Sequence, residues 1–344
     1  MQQILNTLYV VTPNAYVHLE NDTLRIDVEH EKRLQVPLHH LGSVVCFGNI
    51  VVSPALMHRL ADDGKSLVLL DGNGRFKARL EGPVSGNILL RRAHHARAAE
   101  AGFVLEIAKA CVAGKVRNCR QVLLRGARES AGPTDAKSLS AVAEELGQVL
   151  QRLERAPDLE ALRGFEGDAA KRYFGCLPLV VRPDQREAFA MSGRTRRPPL
   201  DRFNALLSFL YSMLMNDCRS AAESVGLDPQ LGFLHAVRPG RAALALDLME
   251  EFRPVLADRL ALTLVNRKQV VAGDFTLRPG GAVTLEEDAR KEVVSAYQER
   301  KQELLTHPLV DSNVAIGFLP MLQARFLARA IRGEIEGYVP FLMR

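Results

Sequence analysis

A histidine and two acidic residues lie close together in the segment 235–253, and their side chains are of the types that hold a metal ion. His235 is followed by a basic turn at 238–241 and then by a predicted helix that carries Asp247 and Glu250. Residues three apart on a helix leave from the same face, so the two carboxylates face one way, and His235 reaches them if the turn folds the chain back. One imidazole with carboxylates suits Mg²⁺ or Mn²⁺ better than a structural zinc ion.

Proline 254 lies inside the same helical pattern and predicts a local distortion there. The ring of Pro254 clashes with the carbonyl four residues earlier, which belongs to Glu250, so the helix is expected to kink or loosen beside a candidate ligand. The acidic residues also permit a second interpretation. Positions 247, 250, 251, 254 and 258 form a polar stripe at helical spacing, and such stripes usually face solvent. The spacing alone favours this solvent-facing interpretation.

The elements that must position these residues predict an α+β fold with two domains. Residues 1–82 read as a small N-terminal β domain, and residues 83–344 as a larger all-helical C-terminal domain that begins at the linker Gly82-Pro83. A short helix after Ser53 interrupts the strands, since serine caps and Pro54 opens it. The predicted strands are 5–11, 15–20, 23–28, 33–38, 43–47, 66–71 and 75–80, with the turn 72–74 joining the last two.

The second domain is predicted as a series of helices with recognisable ends. Gly164 is expected to begin one element, with Glu166 in its first turn, where an acidic residue is favoured by the helix dipole. Asp201 caps the most apolar helix, which Gly226 ends. The predicted helices are 85–114, 116–129, 138–155, 202–225, 242–266, 285–305 and 319–331, and the tail 338–342 is expected to pack on the body.

The composition excludes several classes of protein. The five cysteines are odd in number and form no Cys-x-x-Cys pair, which argues against disulfides and a zinc knuckle and for a cytoplasmic protein. The N-terminus lacks the pattern of a signal peptide, and the longest apolar stretch, 203–215, is too short to span a bilayer, so no membrane is expected. The formal net charge of +5 is compatible with a nucleic-acid partner. Arg194, Arg196 and Arg197 stand on a proline-stiffened loop, where they are suited either to binding phosphates at little entropic cost or simply to solubility.

Several segments together resemble the CRISPR-associated endonuclease and integrase family that captures new spacers, Cas1. The resemblance covers essentially the whole chain, and the sequence of its motifs is similar to that of the subtype I-C branch. Its most specific motifs are Glu166-Gly167 with Tyr173-Phe174, the segments 196–201 and 204–211, Gly232-Phe233-Leu234-His235, and the segment 246–254.

The resemblance implies a site that the spacing alone does not define. It places one divalent metal per protomer, Mg²⁺ or Mn²⁺, on Glu166, His235 and Glu250, with Asp247 one turn away as an accessory acid. The family often has Asp where this chain has Glu250, which keeps the charge and lengthens the reach by one methylene. The resemblance therefore reverses the preference for a solvent-facing stripe. The candidates to hold DNA phosphates are Arg172, Arg196, Arg197, Arg238, Arg241 and Arg253.

The function implied by the resemblance is insertion of new spacers into a CRISPR array by phosphodiester cleavage and transesterification. The implied partners are double-stranded spacer DNA, the CRISPR repeat, the small protein Cas2 and a second copy of the chain, paired partly through the β domain. Two alternatives are a DNA-binding scaffold without catalysis and a metal phosphohydrolase of small phosphoesters. The second would need a substrate-cradling glycine loop, and the sequence has none, since Arg59 replaces the first glycine of the only similar segment.

Overall fold

The computed structural model describes residues 7–72, 74, 76–80, 82, 88–130 and 132–343. Some predictions fall outside them: Leu5 and Asn6 of the first strand, Asn73 and Arg75 of the hairpin, Pro83 of the linker, and residues 85–87 at the start of the first long helix. The α+β fold class is confirmed, because a strand-rich N-terminal part precedes a mostly helical part.

The described residues of the N-terminal part form two four-stranded sheets. The strands are β1 Thr7–Val10, β2 Tyr16–Glu20, β3 Thr23–Val28, β4 Glu31–Pro37, β5 Ser43–Phe47, β6 Val51–Val52, β7 Ser66–Leu70 and β8 Phe76–Leu80. In the first sheet, β1, β5 and β7 are parallel and β8 is antiparallel to β7; in the second, β4, β3 and β2 are antiparallel neighbours and β6 is parallel to β2.

A compact apolar core holds these sheets together. Val17 and Leu24 are fully buried in it, and so is Leu56 on helix α1, Pro54–Asp62. The predicted cap is confirmed, since the Ser53 hydroxyl accepts the Leu56 backbone N–H at 3.2 Å. The short strand β6 was not predicted, because a strand of two residues gives no periodic signal.

The second part is built from nine further α-helices among the described residues. They are α2 Ile88–Ala98, α3 Ala101–Glu129, α4 Pro133–Leu153, α5 Leu159–Cys176, α6 Arg202–Val225, α7 Ala243–Phe252, α8 Arg259–Asn266, α9 Glu287–Gln302 and α10 Leu319–Ile331. Two small hairpins lie among them, formed by β9 Phe275–Leu277 with β10 Val283–Leu285 and by β11 Leu304–His307 with β12 Ser312–Ala315.

Helix α3 runs unbroken past Gly114, so the predicted break there was wrong. The chain breaks instead at 99–100, between α2 and α3. A Cβ atom at Gly114 would lie 2.8 Å from Pro340 Cβ and 3.1 Å from Glu251 Cγ. The glycine therefore serves close packing of the C-terminal segment, and its lower helix propensity is outweighed by tertiary contact.

Helix α5 begins earlier than predicted, which changes the position of Glu166. Asp158 caps the helix, since its carboxylate accepts the Ala161 backbone N–H at 2.8 Å. Glu166 consequently lies near the middle of α5, and the expectation that it stands in a first turn was wrong. An N-terminal dipole effect therefore does not explain an acidic residue at this position.

The long apolar helix and the distortion after Glu250 agree with the sequence. Asp201 caps α6 by accepting the Asn204 N–H at 2.7 Å, and Gly226 ends it with φ of 93°. Residues Arg253–Asp258 form a π-helical turn between α7 and α8. Pro254 lies in this turn, as its missing N–H and its clash with the preceding turn predict.

The contacts divide the chain into two compact units. One comprises the described residues of Met1–Ser85 together with Leu285–Ser295, and the other comprises those of Gly86–Thr284 and Ala296–Arg344. Within the parts of the chain that the structure describes, no helix has both the length and the apolar character needed to cross a membrane.

Candidate metal centre

Two acidic side chains from different helices meet at one lysine in the helical unit. Lys115 on α3 forms ion pairs with Glu166 on α5 and with Glu250 on α7, the latter at 2.7 Å between Nζ and Oε2. The lysine and Glu250 side chains are 7% and 3% exposed, whereas Glu166 is 26% exposed. The two carboxylates predicted to hold a metal are therefore brought together around a positive charge, with Glu166 on the open side.

The electrostatics of this cluster keep Glu250 and Lys115 charged. Burial by itself would raise the pKa of Glu250, but the charges of Arg253 and Lys115 outweigh it and lower that pKa. Burial would likewise lower the pKa of Lys115, and the charges of Glu250 and Glu166 outweigh it and raise that pKa. A buried carboxylate that stays ionised is a ready metal ligand, since metal ligands must be deprotonated.

His235 lies on the loop between α6 and α7 and points into the same cluster. Its Nε2 atom is 3.8 Å from Glu250 Oε1, and its side chain is 20% exposed. Its Nδ1 atom is 2.7 Å from Asp247 Oδ1. An ionised carboxylate only accepts hydrogen bonds, so Nδ1 is the nitrogen that donates to Asp247, and in the neutral tautomer Nε2 is the nitrogen left to bind a metal.

Asp247 uses both of its oxygens on the loop that carries His235. Oδ2 accepts the backbone N–H groups of Phe233 at 2.6 Å and Leu234 at 3.0 Å, and Oδ1 accepts the N–H of His235 at 2.9 Å besides its ring nitrogen. A carboxylate has about four lone-pair sites, and four donors occupy them. Asp247 is thus placed to orient His235.

Gly232 and Arg163 also fix the loop that carries His235. A Cβ atom at Gly232 would lie 2.8 Å from Asp247 Oδ2 and from Ala243 Cβ, so only glycine lets the loop approach α7 this closely. Arg163 on α5 donates from Nε and Nη2 to the Leu234 carbonyl at 3.1 and 2.6 Å. The imidazole is therefore held by contacts to both helices that supply the carboxylates.

Arg253 lies against Glu250 in the interior. Its Nη2 atom is 2.9 Å from Glu250 Oε1, and its guanidinium lies 4.9 Å from the centre of the Tyr211 ring. Behind it, Asp258 accepts the hydroxyls of Tyr211 at 2.6 Å and Tyr173 at 2.9 Å. Burial raises the pKa of Asp258 to about 6, although both hydroxyl bonds oppose the rise. Arg253 is thus a partner of the candidate ligand.

The acidic stripe on α7 and the π turn is buried. Asp247, Glu250, Glu251 and Asp258 are each 2% exposed or less. The interpretation that spacing alone favoured, a solvent-facing stripe, is therefore wrong. Each of these carboxylates has a specific partner, which is what burial of a charge requires.

The candidate phosphate-binding arginines fall into separate groups. Arg238 is exposed, Arg241 is half-buried, and neither they nor Arg197 have an acidic ion-pair partner among the described residues. Partial burial and then the positive charges of Arg238, Arg163 and Arg197 lower the pKa of Arg241, although Asp247 opposes this. We call Arg163, Arg197, Arg238 and Arg241 the basic cluster.

The other three predicted arginines are not members of the basic cluster. Arg196 is exposed on the same loop as Arg197. Arg172 faces outward on α5 and pairs with Glu145 at 2.6 Å and Asp168 at 3.0 Å, which places it in a surface ion-pair network. Arg253, as described above, is buried against Glu250.

The donor set fits a hard divalent ion, although a ligand shell is not preformed. Over the described residues, no three His, Cys, Asp or Glu side chains already converge closely enough to hold an ion. The reason is visible: the Lys115 ammonium lies between Glu166 and Glu250 and separates them. A cation in this position shows that the cluster accommodates positive charge, and two carboxylate groups with one imidazole nitrogen suit Mg²⁺ or Mn²⁺.

Lys115 and Arg163 were missed by reasoning from the sequence. Lys115 follows Gly114, which was taken as a helix break, and its partners are 51 and 135 residues away along the chain. Arg163 was hidden because α5 was expected to start after it. A continuous helix 101–129 would have placed Lys115 on a face with Cys111 and Cys119, and a lysine among buried cysteines is the signal that was available.

Comparisons with known proteins identify the family of the chain. Over residues 8–299 the chain matches the family model described as CRISPR associated protein Cas1. It is 55% identical, over 344 residues and the full length of both chains, to the CRISPR-associated endonuclease Cas1 1 of Moorella thermoacetica.

Two solved structures share the fold at low sequence identity. A casposase bound to integration product superposes with a TM-score of 0.83 at 20% identity, covering 97% of this chain and 93% of that one. A Cas6-RT-Cas1–Cas2 complex superposes with a TM-score of 0.84 at 23% identity, covering 98% of this chain and 36% of that one. At these identities the likeness concerns the fold.

Proposed function

The chain belongs to the Cas1 family of CRISPR-associated proteins, and we propose that it is the metal-dependent DNA endonuclease and integrase of CRISPR adaptation, inserting new spacers into the array. The family match and the full-length relative named an endonuclease support this assignment. The observation that carries it is that Glu166 and Glu250, from two helices, meet around one buried cation, with His235 Nε2 on a neighbouring loop 3.8 Å from Glu250 Oε1.

In this proposal Glu166, His235 and Glu250 hold one Mg²⁺ or Mn²⁺ ion. The ion supplies polarisation of a phosphate oxygen and orientation of the attacking oxygen, which is water in hydrolysis and a 3′-hydroxyl in integration. Asp247 keeps the proton on His235 Nδ1, so that Nε2 offers its lone pair. The half-exposed position of Glu166 marks the side from which DNA reaches the site.

The basic cluster supplies the contact to DNA. Arg197, Arg238 and Arg241 have no acidic partner among the described residues, so their charges are available to phosphates. Burial and then the charges of neighbouring arginines lower the pKa of Arg241, and phosphates that bind there relieve the repulsion between these charges. We assign Arg196 to the same contact as a flanking residue, whereas the surface ion pairs of Arg172 and the Glu250 contact of Arg253 favour structural roles.

The partners follow from the family. We propose double-stranded spacer DNA and the CRISPR repeat as substrates, Cas2 as the protein partner, and a homodimer formed through residues 1–82, with residues 83–344 catalytic. Relatives of the same fold include one in a complex with Cas2 and one bound to an integration product. We further propose that the chain acts in the cytoplasm and belongs to the subtype I-C branch, on the motifs 232–235 and 246–254.

The two alternatives predict different sites. A non-catalytic DNA scaffold needs the basic cluster but has no reason to bury Asp247, Glu250 and Lys115 beside a histidine, at the desolvation cost of each charge. A small-molecule phosphohydrolase needs a phosphate-cradling glycine loop, and the sequence has none. The geometry favours the nuclease.

The test is cleavage and strand transfer on labelled DNA with Mn²⁺ or Mg²⁺. Glu166→Gln, His235→Asn and Glu250→Gln are each expected to lower the rate at least ~100-fold, since metal-site function depends on every ligand. Glu160→Gln is the matched control, because Glu160 is exposed in the first turn of the helix that carries Glu166. Wild-type rates in the three site variants, with folding intact, would favour the scaffold.

A further inference from the structure

Lys115 occupies the position that the metal ligands surround. Its ammonium contacts Glu166 Oε1 and Glu250 Oε2, and these are the same two carboxylates proposed to hold the ion. The lysine is 6% exposed as a whole residue, and a long flexible side chain is rarely buried to this extent unless a partner requires it. Lys115 lies outside the sequence motifs that carry the family resemblance.

The ammonium and a divalent ion cannot share this position. The Nζ–Oε2 distance is 2.7 Å, whereas Mg²⁺ binds oxygen at about 2.1 Å, so an ion must draw both carboxylates into space that the ammonium fills. Two like charges within a few ångströms of one another in a buried site also repel strongly. Lys115 rather than Arg253 is the cation in competition, because Arg253 contacts only Glu250 of the two ligands and is also stacked on Tyr211.

We propose, on the basis of the metal site assigned above, that the Lys115 ammonium is an internal substitute for the metal. It neutralises Glu166 and Glu250 in the metal-free protein and is displaced when the divalent ion binds. The ammonium between the two carboxylates also accounts for their separation. The lysine keeps the two carboxylates from repelling each other before the metal arrives, and it lowers the affinity for metal by the same interaction.

A purely structural role for Lys115 predicts the opposite result. If the ion pairs only brace α3 against α5 and α7, their loss would loosen the ligands and weaken metal binding. If the ammonium competes with the metal, its loss leaves two carboxylates without their neutralising charge and strengthens metal binding. The sign of the change in affinity therefore separates the two roles.

The experiment is a calorimetric titration of Mn²⁺ into the full-length protein. Lys115→Met removes the charge and keeps the approximate length of the side chain. We expect this variant to bind Mn²⁺ at least ten-fold more tightly than wild type, a gain of about 1.4 kcal/mol in binding free energy. Lys109→Met is the matched control on the same helix, since Lys109 donates to the Glu154 carbonyl at 2.9 Å and has no part in the site. The control should stay within about two-fold of wild type, as distant sites do. Unchanged or weaker binding by Lys115→Met would overturn the proposal.

A second measurement needs no variant. In a crystal structure of the wild-type protein with Mn²⁺, the anomalous signal should lie between Glu166 and Glu250, with the Lys115 ammonium moved away from both carboxylates. A metal bound while Lys115 still bridges them would contradict the proposal, even if Lys115→Met did not fold.

The two proposals fail in different ways. If the affinity of wild-type protein for Mn²⁺ is unchanged by Glu250→Gln and His235→Asn, the metal site itself is wrongly assigned. If those substitutions abolish binding while Lys115→Met leaves it unchanged, the metal site stands and only the role of Lys115 is refuted.

Discussion

Replacing Asp247 by asparagine tests how His235 is presented to the metal. The carboxylate accepts three backbone N–H groups and the His235 ring. An asparagine side chain has one acceptor oxygen, so its NH₂ group must face either the Phe233 and Leu234 amides or the two nitrogens of His235. The second orientation is less costly, because the imidazole can change its tautomer whereas a backbone amide cannot.

In that orientation His235 Nδ1 becomes the acceptor and Nε2 carries the proton. An N–H group then points toward Glu250 where a lone pair is required, and we expect the affinity for Mn²⁺ to fall about 10–100-fold, as it does when other residues that orient metal ligands are changed. One backbone N–H, that of His235, also loses a charged acceptor, which lowers the free energy of unfolding by about 1.5–3 kcal/mol.

The assay combines Mn²⁺ titration calorimetry with urea unfolding of the same preparations. Asp228→Asn is the control, because Asp228 lies on the same loop and accepts the Gln230 backbone N–H at 2.9 Å without touching His235. Wild-type Mn²⁺ affinity in Asp247→Asn would refute the orienting role. A loss as complete as in Glu250→Gln would show instead that Asp247 is itself a ligand.

Three further outcomes follow from single contacts. His94 is fully buried, and this burial lowers its pKa to about 4, below the 6.5 of an unfolded histidine. As the pH falls, the unfolded chain therefore binds the proton first, and between these two pH values the free energy of unfolding should fall by about 1.4 kcal/mol for each unit of decreasing pH. Urea unfolding of His94→Asn at the same pH values should lack this loss. Gly232→Ala puts a Cβ atom 2.8 Å from Asp247 Oδ2, so we expect a loss of about 1–3 kcal/mol in thermal unfolding, and an unchanged melting temperature would contradict the close approach. Arg238→Ala should lower the slope of log affinity for DNA against log salt by about 0.9 in fluorescence anisotropy, whereas Arg172→Ala should leave the slope as in wild type.

Local signals in the sequence were sufficient for many elements of the fold. Asp201 and Gly226 marked both ends of α6, because a capping carboxylate and a left-handed glycine act on their own neighbours. Pro254 predicted the distortion that the structure shows as a π turn, since its clash is with the preceding turn of the same helix. Effects confined to a few residues can be derived from those residues.

Contacts between distant segments could not be derived in this way. Gly114 looked like a helix break because its close neighbour, Pro340, is more than two hundred residues away. The stripe from Asp247 to Asp258 looked solvent-facing because its partners, Tyr211 and Lys115 among them, lie on other helices. Glu166 was nominated only by resemblance to a family, since nothing in its local sequence distinguishes a ligand from a helix-capping acid.

The most direct test of the central claim is a count of Mn²⁺ ions bound per chain, measured by electron paramagnetic resonance on wild-type protein and on Glu250→Gln. The account predicts one tightly bound ion for each wild-type chain and none in the variant, with retention on a DNA column unchanged, because Glu250 pairs with Lys115 and Arg253 and with none of the arginines of the basic cluster. The same tight binding in Glu250→Gln would contradict the claim that Glu166, His235 and Glu250 form a metal centre.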